Sequence, residues 1–546
     1  MKYVRRYLPF VPYVLLGLLV LGPLLAPGFV LTMDMVFTPV LGMPNHVDNT
    51  WLFYTTLHVL SLVLPVDFIQ KMLLLAILIV SGVGAHRLLT ILRPSSENNW
   101  KVATYVGATF FMINPFVYDR FMAGQYGVLL GYCLLPWFAA SLRCFVRAPG
   151  WGSAVRLAAW VTIMSIVSIH SLGWVALLGI GAVLMYARDQ HRLRQIGTFG
   201  VVSIVIFAIA GAYWLVPTFL GQGRIADSLT TFGSSERQAF ATVDTNGTSV
   251  LGAVVGLQGF WQDDHQLYIV PIDAVSQWGW LQVVLLFLIV AGAIRLWRAD
   301  RRLALYATGA AITAILLAMG LGGDWMATHV PFFAGFREPQ KFVAVLALVE
   351  MYFLTWGASW TLVKLAKVRY AAYPTTALLI GLVLAYTSPM LWGFDGQLQP
   401  ARYPADWTAM NQFMNAQPGR EKVLFLPWHL YMSYNFAGRI IASPAASFFG
   451  RPIVASDNPE LTGVAPQTSD STRDMIQSTI LPAGVRNDTA AKLRALDIGY
   501  VLLAKEYDWQ KYDWLNHQAG FEVLRDSPTL RLYKLTNDTI GLHETN

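Results

Sequence analysis

Three stretches carry residues whose types and spacing could do chemistry. In Leu31-Thr32-Met33-Asp34-Met35-Val36-Phe37, Asp34 is a lone carboxylate between two methionines, just beyond a long apolar run. An acid held among apolar neighbours loses hydration, which raises its pKa and suits it to taking a proton from a hydroxyl. In Phe336-Arg337-Glu338-Pro339-Gln340-Lys341-Phe342, Pro339 fits the first position of a helix. Arg337 and Lys341 then flank a helix N-terminus, where free amides favour an anion such as a lipid phosphate. The bland alternative is that both cations snorkel to headgroups while Glu338 pairs with one of them. In Asn114-Pro115-Phe116-Val117-Tyr118-Asp119-Arg120, followed by Gly124-Gln125-Tyr126, the Asn-Pro step breaks a helix and frees carbonyls that need partners. Asp119 and Arg120 are expected to form an internal salt bridge, with Arg120 also within reach of a ligand.

Secondary candidates are Asp48, His170, Glu350 and the run Asp263-Asp264-His265. The last has ligand chemistry for a divalent cation, magnesium or manganese, although three adjacent side chains do not converge easily on one ion. His170 lies where two short apolar runs meet and suits hydrogen bonding between helices. Glu350 falls about 12 Å inside a helix beginning at Phe342, and an acid at that depth is a functional candidate by default. The chain contains no phosphate-cradling Walker loop, no nucleophile elbow and no zinc spacing. Acceptor triplets at Asn246, Asn487 and Asn537 mean glycosylation only in a eukaryotic secretory pathway.

The elements that position these residues are apolar. Only 13% of the 546 residues are charged, against about a quarter in soluble proteins, and mean hydropathy is +0.47. Apolar blocks near 7–30, 67–90, 102–118, 126–146, 154–169, 172–187, 196–220, 278–297, 303–320, 342–363 and 371–392 predict about eleven transmembrane helices. Alternate gaps hold the cations: Lys2, Arg5 and Arg6; Arg87, Arg93 and Lys101; Arg143, Arg147 and Arg156; Arg188, Arg192 and Arg194; Arg295, Arg298, Arg301 and Arg302; Lys364, Lys367 and Arg369. Those gaps contain only Glu97, Asp189 and Asp300 as acids. Short basic loops stay cytoplasmic, so the N-terminus is expected inside and the C-terminus outside. The net charge of +7 is therefore topology and not a nucleic-acid patch. The first apolar run lacks a small-residue cleavage site and is read as an uncleaved first helix. Cys133 and Cys144, eleven positions apart on one helix, lie roughly 16 Å from each other and cannot bridge.

The outer segments are 31–66, 221–277 and 321–341, and the stretch Trp51 to Pro65 is expected to lie in the interface as an amphipathic helix. The 221–277 segment is long enough to act as a lid. From residue 393 the composition changes to that of a soluble domain, with 16 acids and 14 bases. Val423–Leu426 and Tyr500–Leu503 read as buried strands, Leu530–Tyr533 as an edge strand, and Thr489–Leu496 as a helix. The expected architecture is a polytopic α-helical membrane domain, 1–392, with an extracytoplasmic α/β domain, 393–546.

These features resemble the polytopic glycosyltransferases of the GT-C class. The points of likeness are one Asp soon after the first span, the Asn-Pro-Phe-x-x-x-Arg-x-x-x-Gly-Gln turn followed by Leu134-Leu135-Pro136-Trp137, and the Phe-Arg-Glu-Pro-x-Lys-Phe run. The layout is most similar to arabinofuranosyltransferases of mycobacterial type and to YfhO-like membrane proteins. The resemblance implies transfer of a sugar, with inversion, from a polyprenyl-phosphate donor to a hydroxyl of a glycan or glycolipid acceptor outside the cytoplasmic membrane of a prokaryote. It also implies that Asp34 is the general base. Sugar transfer by this route requires the Asp34 and Arg337 loops to share one cavity. Many members carry two adjacent acids at this place, whereas here Met33 and Met35 flank Asp34. Two other classes fit the same membrane layout: a lipid or glycan transporter or flippase, in which Glu350 would be essential, and a non-catalytic envelope scaffold, in which Asp34 would be dispensable.

Overall fold

The computed structural model describes residues 7–536 except 96, 98, 187, 224, 227–232, 246, 266, 331–332, 366–371, 462–469 and 482–487. The triplet residues Asn246, Asn487 and Asn537 and the basic residues Lys2, Arg5, Arg6, Lys367 and Arg369 lie outside the described residues. The chain divides into two compact units. One comprises Met1–Leu25, Met43–Leu60 and Lys71–Leu398; the other comprises Ala26–Gly42, Ser61–Gln70 and Gln399–Asn546. The first outer segment is thus split between them.

Among the described residues, seven helices are long and apolar enough to cross a membrane: Leu8–Leu25, Val66–Ile91, Tyr126–Arg147, Gln190–Ala210, Trp278–Ala299, Arg301–Ala318 and Pro339–Leu365. The pair Ala372–Tyr386 and Ser388–Asp395, bent by 72°, makes an eighth if it is one span. The expected count of eleven exceeds this for a geometric reason. Trp151–Val167 has 17 residues and Ser171–Leu184 has 14, which at the helical rise is roughly 26 and 21 Å, short of a hydrocarbon core of about 30 Å. The block at 102–118 is interrupted too, because its helix Trp100–Met112 stops ahead of Asn114.

The first unit is organised around Pro339–Leu365, which is buried from 340 to 359. Glycines let its neighbours approach. A Cβ on Gly357 would stand 2.1 Å from the Leu288 carbonyl oxygen, and one on Gly292 would stand 1.9 Å from that of Phe353, so Trp278–Ala299 packs backbone to backbone against it. Gly107 does the same for Trp100–Met112, where an added Cβ would stand 2.1 Å from Thr355 Oγ1. Glu97, one of the three acids among the basic gaps, accepts from Arg295 Nε at 3.0 Å and from Ser359 Oγ at 2.6 Å. Both cysteines are free.

The second unit holds a short antiparallel pair, β1 (Phe29–Val30) with β2 (Pro400–Ala401), and a five-stranded sheet in the order β6 (Ile453–Val454), β3 (Lys422–Leu426), β7 (Ile498–Ala504), β9 (Leu530–Leu535), β8 (Phe521–Asp526). The sheet's first three strands are parallel, and β9 runs antiparallel to both of its neighbours, β7 and β8. The expected strands at 423–426 and 500–503 are its buried centre, and Thr489–Ala495 is helical. Leu530–Tyr533 is not an edge. It pairs on both sides, and the outer strand is β8, whose exposed residues were the weaker strand signal. A hairpin of β4 (Tyr431–Tyr434) and β5 (Arg439–Ala442) stands apart from the sheet. Trp407, fully buried, stacks among Phe436, Phe448 and Phe449 beside it.

Candidate functional site

In the first unit the Asn114-Pro115 step does what its chemistry requires. Asn114 caps the helix Pro115–Met122 by accepting from Val117 N, with Pro115 at the first helical position. Its amide donates to the Phe110 and Phe111 carbonyls left open by the break and to Tyr132 Oη. This fixes Asp119 and Arg120 on a short buried helix. Consecutive positions on a helix point about 100° apart, so these two residues do not form the expected mutual salt bridge. Arg120 reaches instead across 218 positions to Glu338, with Nη1 2.7 Å from Oε2. It also donates to Gln125 Oε1 at 2.6 Å and to Gln340 Oε1, and its guanidinium lies 4.2 Å from the Phe260 ring centre.

Glu338 is the shared counter-ion. Its Oε1 also takes Lys341 Nζ at 3.1 Å, and Gln125 Nε2 reaches Oε2 at 3.2 Å. Burial alone would raise its pKa, but Lys341 and Arg120 outweigh burial and hold it well below the usual carboxylate range. Lys341 is buried and donates to His170 Nε2 at 3.1 Å. Burial, reinforced by the Lys341 charge, pushes His170 well below its usual value, so its neutral ring can accept that hydrogen bond. Pro339 opens a 3-10 turn, Pro339–Phe342, that leads into Val343–Leu365. Of the two cations expected about this helix start, Lys341 is therefore tied inward, while Arg337 is half-exposed with its guanidinium 4.6 Å from the Phe240 ring centre.

Asp119 is fully buried, and neither carboxylate oxygen has a hydrogen-bond partner among the described residues. Burial raises its pKa, with Asp263 adding to the effect. Asp263 accepts from Gly259 N at 3.2 Å, Phe260 N at 3.0 Å and Tyr268 Oη at 2.8 Å, and burial pushes it up to about 7 despite these bonds. It anchors its own loop. His265 is exposed and packs on Trp261, and the Asp264 side chain lies outside the described residues. Among the described residues, no three His, Cys, Asp or Glu side chains assemble a metal set. The 221–277 segment is pinned where it is described: Thr242 Oγ1 bonds the Ala318 carbonyl, the Gly256 carbonyl takes Tyr386 Oη, and Ile269 N donates to Gln397 Oε1. Asp48 caps Thr50 through its amide at 2.8 Å and its hydroxyl at 2.7 Å, starting the helix Trp51–Ser61. Glu350 is buried in the central helix. These secondary candidates, His170 apart, do not join the Glu338 cluster through a hydrogen bond or ion pair that the structure describes.

Asp34 belongs to the second unit. A tight turn pairs Thr32 with Met35 in both directions, at 3.2 and 2.7 Å, with Met33 in the left-handed region at φ +39°. Met33 also exchanges backbone bonds with the β5 strand, to Ile440 O and from Ala442 N. Met33 and Met35 are turned into the core, at 5% and 1% exposure, and Asp34 is turned out. The expected desolvation of this carboxylate is thus corrected: strand-like alternation sends its apolar neighbours one way and the acid the other. Tyr431 Oη, from β4, donates to Asp34 Oδ1 at 2.5 Å. Tyr431, Gln125 and Gln340 were not among the residues singled out from the sequence. Gln125 and Gln340 do lie inside the quoted motifs, whereas nothing local marks Tyr431.

Neither a protein-family model nor a curated protein matches this sequence. Solved structures do. The cryo-EM structure of the arabinofuranosyltransferase AftD from Mycobacteria matches over 98% of this chain with a TM-score of 0.64 at 14% identity. Two classes of its R1389S mutant match with TM-scores of 0.61 and 0.57. The chain spans only 40–42% of the length of those proteins. At that identity the likeness is one of fold alone.

Proposed function

We propose that this protein transfers a sugar, with inversion, from a polyprenyl-phosphate-linked donor to a hydroxyl of a glycan or glycolipid acceptor outside the membrane. The observation that carries this reading is the fold similarity to AftD along 98% of the chain. Asp34 is the general base. It is an exposed carboxylate on a strained turn, oriented by the Tyr431 hydroxyl, and backbone strain of this kind concentrates at functional positions. The carboxylate takes the acceptor hydroxyl proton as that oxygen attacks the anomeric carbon. The bond from that carbon to the phosphate oxygen breaks, and polyprenyl phosphate leaves. In the first unit, Arg120 and Lys341 share the single carboxylate of Glu338, which leaves a positive surplus behind half-exposed Arg337. That surplus is suited to recognising the donor phosphate.

The test is to incubate the purified full chain with polyprenyl-phosphate donors of different sugars and an oligosaccharide acceptor. Polyprenyl phosphate is expected to be released only when acceptor is present, and the new linkage should have inverted anomeric configuration by NMR. Retained configuration, or release that ignores the acceptor, would contradict the proposal.

A further inference from the structure

The helix Tyr126–Arg147 ends in Arg143 and Arg147, one turn apart on the same face. Both border a cavity of about 100 Å³ whose other walls are aliphatic and aromatic, among them Leu178, Ala182 and Tyr306. Arg143 is partly exposed, and its Nε is buried without a hydrogen-bond partner; Arg147 is exposed. Asp300, the acid that faces Arg143 electrostatically, is occupied in capping Arg301–Ala318 through Leu303 N at 3.0 Å. On the same helix, Leu142 and Val146 line both this cavity and a groove of about 480 Å³ formed with Trp151–Val167, Ser171–Leu184 and Gln190–Ala210. The groove is apolar except for Ser203.

Two forked cations that border one hydrocarbon-lined space, which shares a wall with a second, match one kind of molecule. A guanidinium binds phosphate oxygens in a planar fork, and basic pockets between membrane helices take anionic headgroups. The shared wall of Leu142 and Val146 gives two chains of one lipid separate paths from a common headgroup. We propose that Arg143 and Arg147 form a binding site for a two-chain anionic phospholipid, with its phosphate on the guanidinium pair, one acyl chain in the cavity and the other in the groove. The site is separate from the residues assigned to sugar transfer and does not depend on that assignment.

The test is native mass spectrometry of the full chain in detergent, titrated with phosphatidylglycerol and with phosphatidylcholine of the same chains. Phosphatidylglycerol should bind more tightly. R147Q, at an exposed position, should weaken it about fivefold and R143Q/R147Q about thirtyfold, the value of one and two charges near a membrane surface. A182W, which fills the cavity and keeps both charges, should weaken it as well, and inorganic phosphate should not compete. An unchanged melting temperature shows that each variant folds. Equal binding of the two lipids, or parental binding by both Arg variants, would overturn the proposal. So would competition by millimolar inorganic phosphate, or displacement by single-chain polyprenyl phosphate in preference to phosphatidylglycerol.

Discussion

Arg120 and Glu338 form a buried ion pair, with Nη1 2.7 Å from Oε2 and side chains 0% and 4% exposed, between the turn after the Asn-Pro break and the start of the central helix. Removing one partner of such a pair leaves the other charge uncompensated, at a cost of about 3–5 kcal/mol. E338Q strands both Arg120 and Lys341. It should lower the melting temperature of the detergent-solubilised protein sharply, and an unchanged melt would show that the pair holds nothing together.

Stability should depend on pH in a direction set by the buried acids. Asp263 is pushed up to about 7 by burial, and Asp119 is raised by burial and by Asp263, against about 3.9 in an unfolded chain. The folded state holds these protons more strongly, so the stabilisation is full below about pH 4, and Asp263's share is lost as pH rises through about 7. Glu338, held low, acts oppositely: its contribution is present above its unfolded value and is lost only in acid below that value. Asp263 should therefore raise the melting temperature as pH falls from 8 to 5, whereas His170, held neutral, acts oppositely. D263N should remove the Asp263 part of that slope. A slope identical in D263N would rule out Asp263 as its source.

The crossing of Trp278–Ala299 with the central helix has no room for side chains at its glycines. G357L would drive a Cβ to within 2.1 Å of the Leu288 carbonyl oxygen. Overpacking of this kind costs about 1–3 kcal/mol. Reduced yield of folded protein and a lower melt are expected, and a variant as stable as the parent would mean that the helices separate without cost.

Asn114 both caps one helix and closes the open carbonyls of another. N114A should cost about 1–2 kcal/mol through the lost cap alone, and N114D, which keeps the accepting oxygen but turns a buried carboxylate oxygen toward two carbonyls, should cost more. Thermal melts of the three proteins check the order.

Much of the layout was legible because it is local. Apolar blocks became helices, Asn114-Pro115 ended one helix and capped the next, and the runs at 423–426 and 500–503 became the centre of the sheet. Helix length within a block was less legible, since breaks such as the 72° bend between Ala372–Tyr386 and Ser388–Asp395, inside the block at 371–392, depend on how the chain turns. The pairings of the cluster were hidden. Arg120 was expected beside Asp119 by sequence adjacency, yet its partners are Glu338 and Gln340, which packing brings from more than two hundred residues away. Tyr431 meets Asp34 across 397 positions, and no local pattern marks such a contact. The β9 strand alternates like an edge, but pairing partners and not alternation decide its place.

The most direct measurement is the sugar-transfer rate of D34N beside the parent protein, at equal donor binding and equal melting temperature. Loss of a positioned general base should slow transfer by about 10²–10⁴-fold, with Y431F giving a smaller loss because it only orients the carboxylate. Transfer by D34N at the parental rate would contradict the assignment of Asp34 and the mechanism built on it.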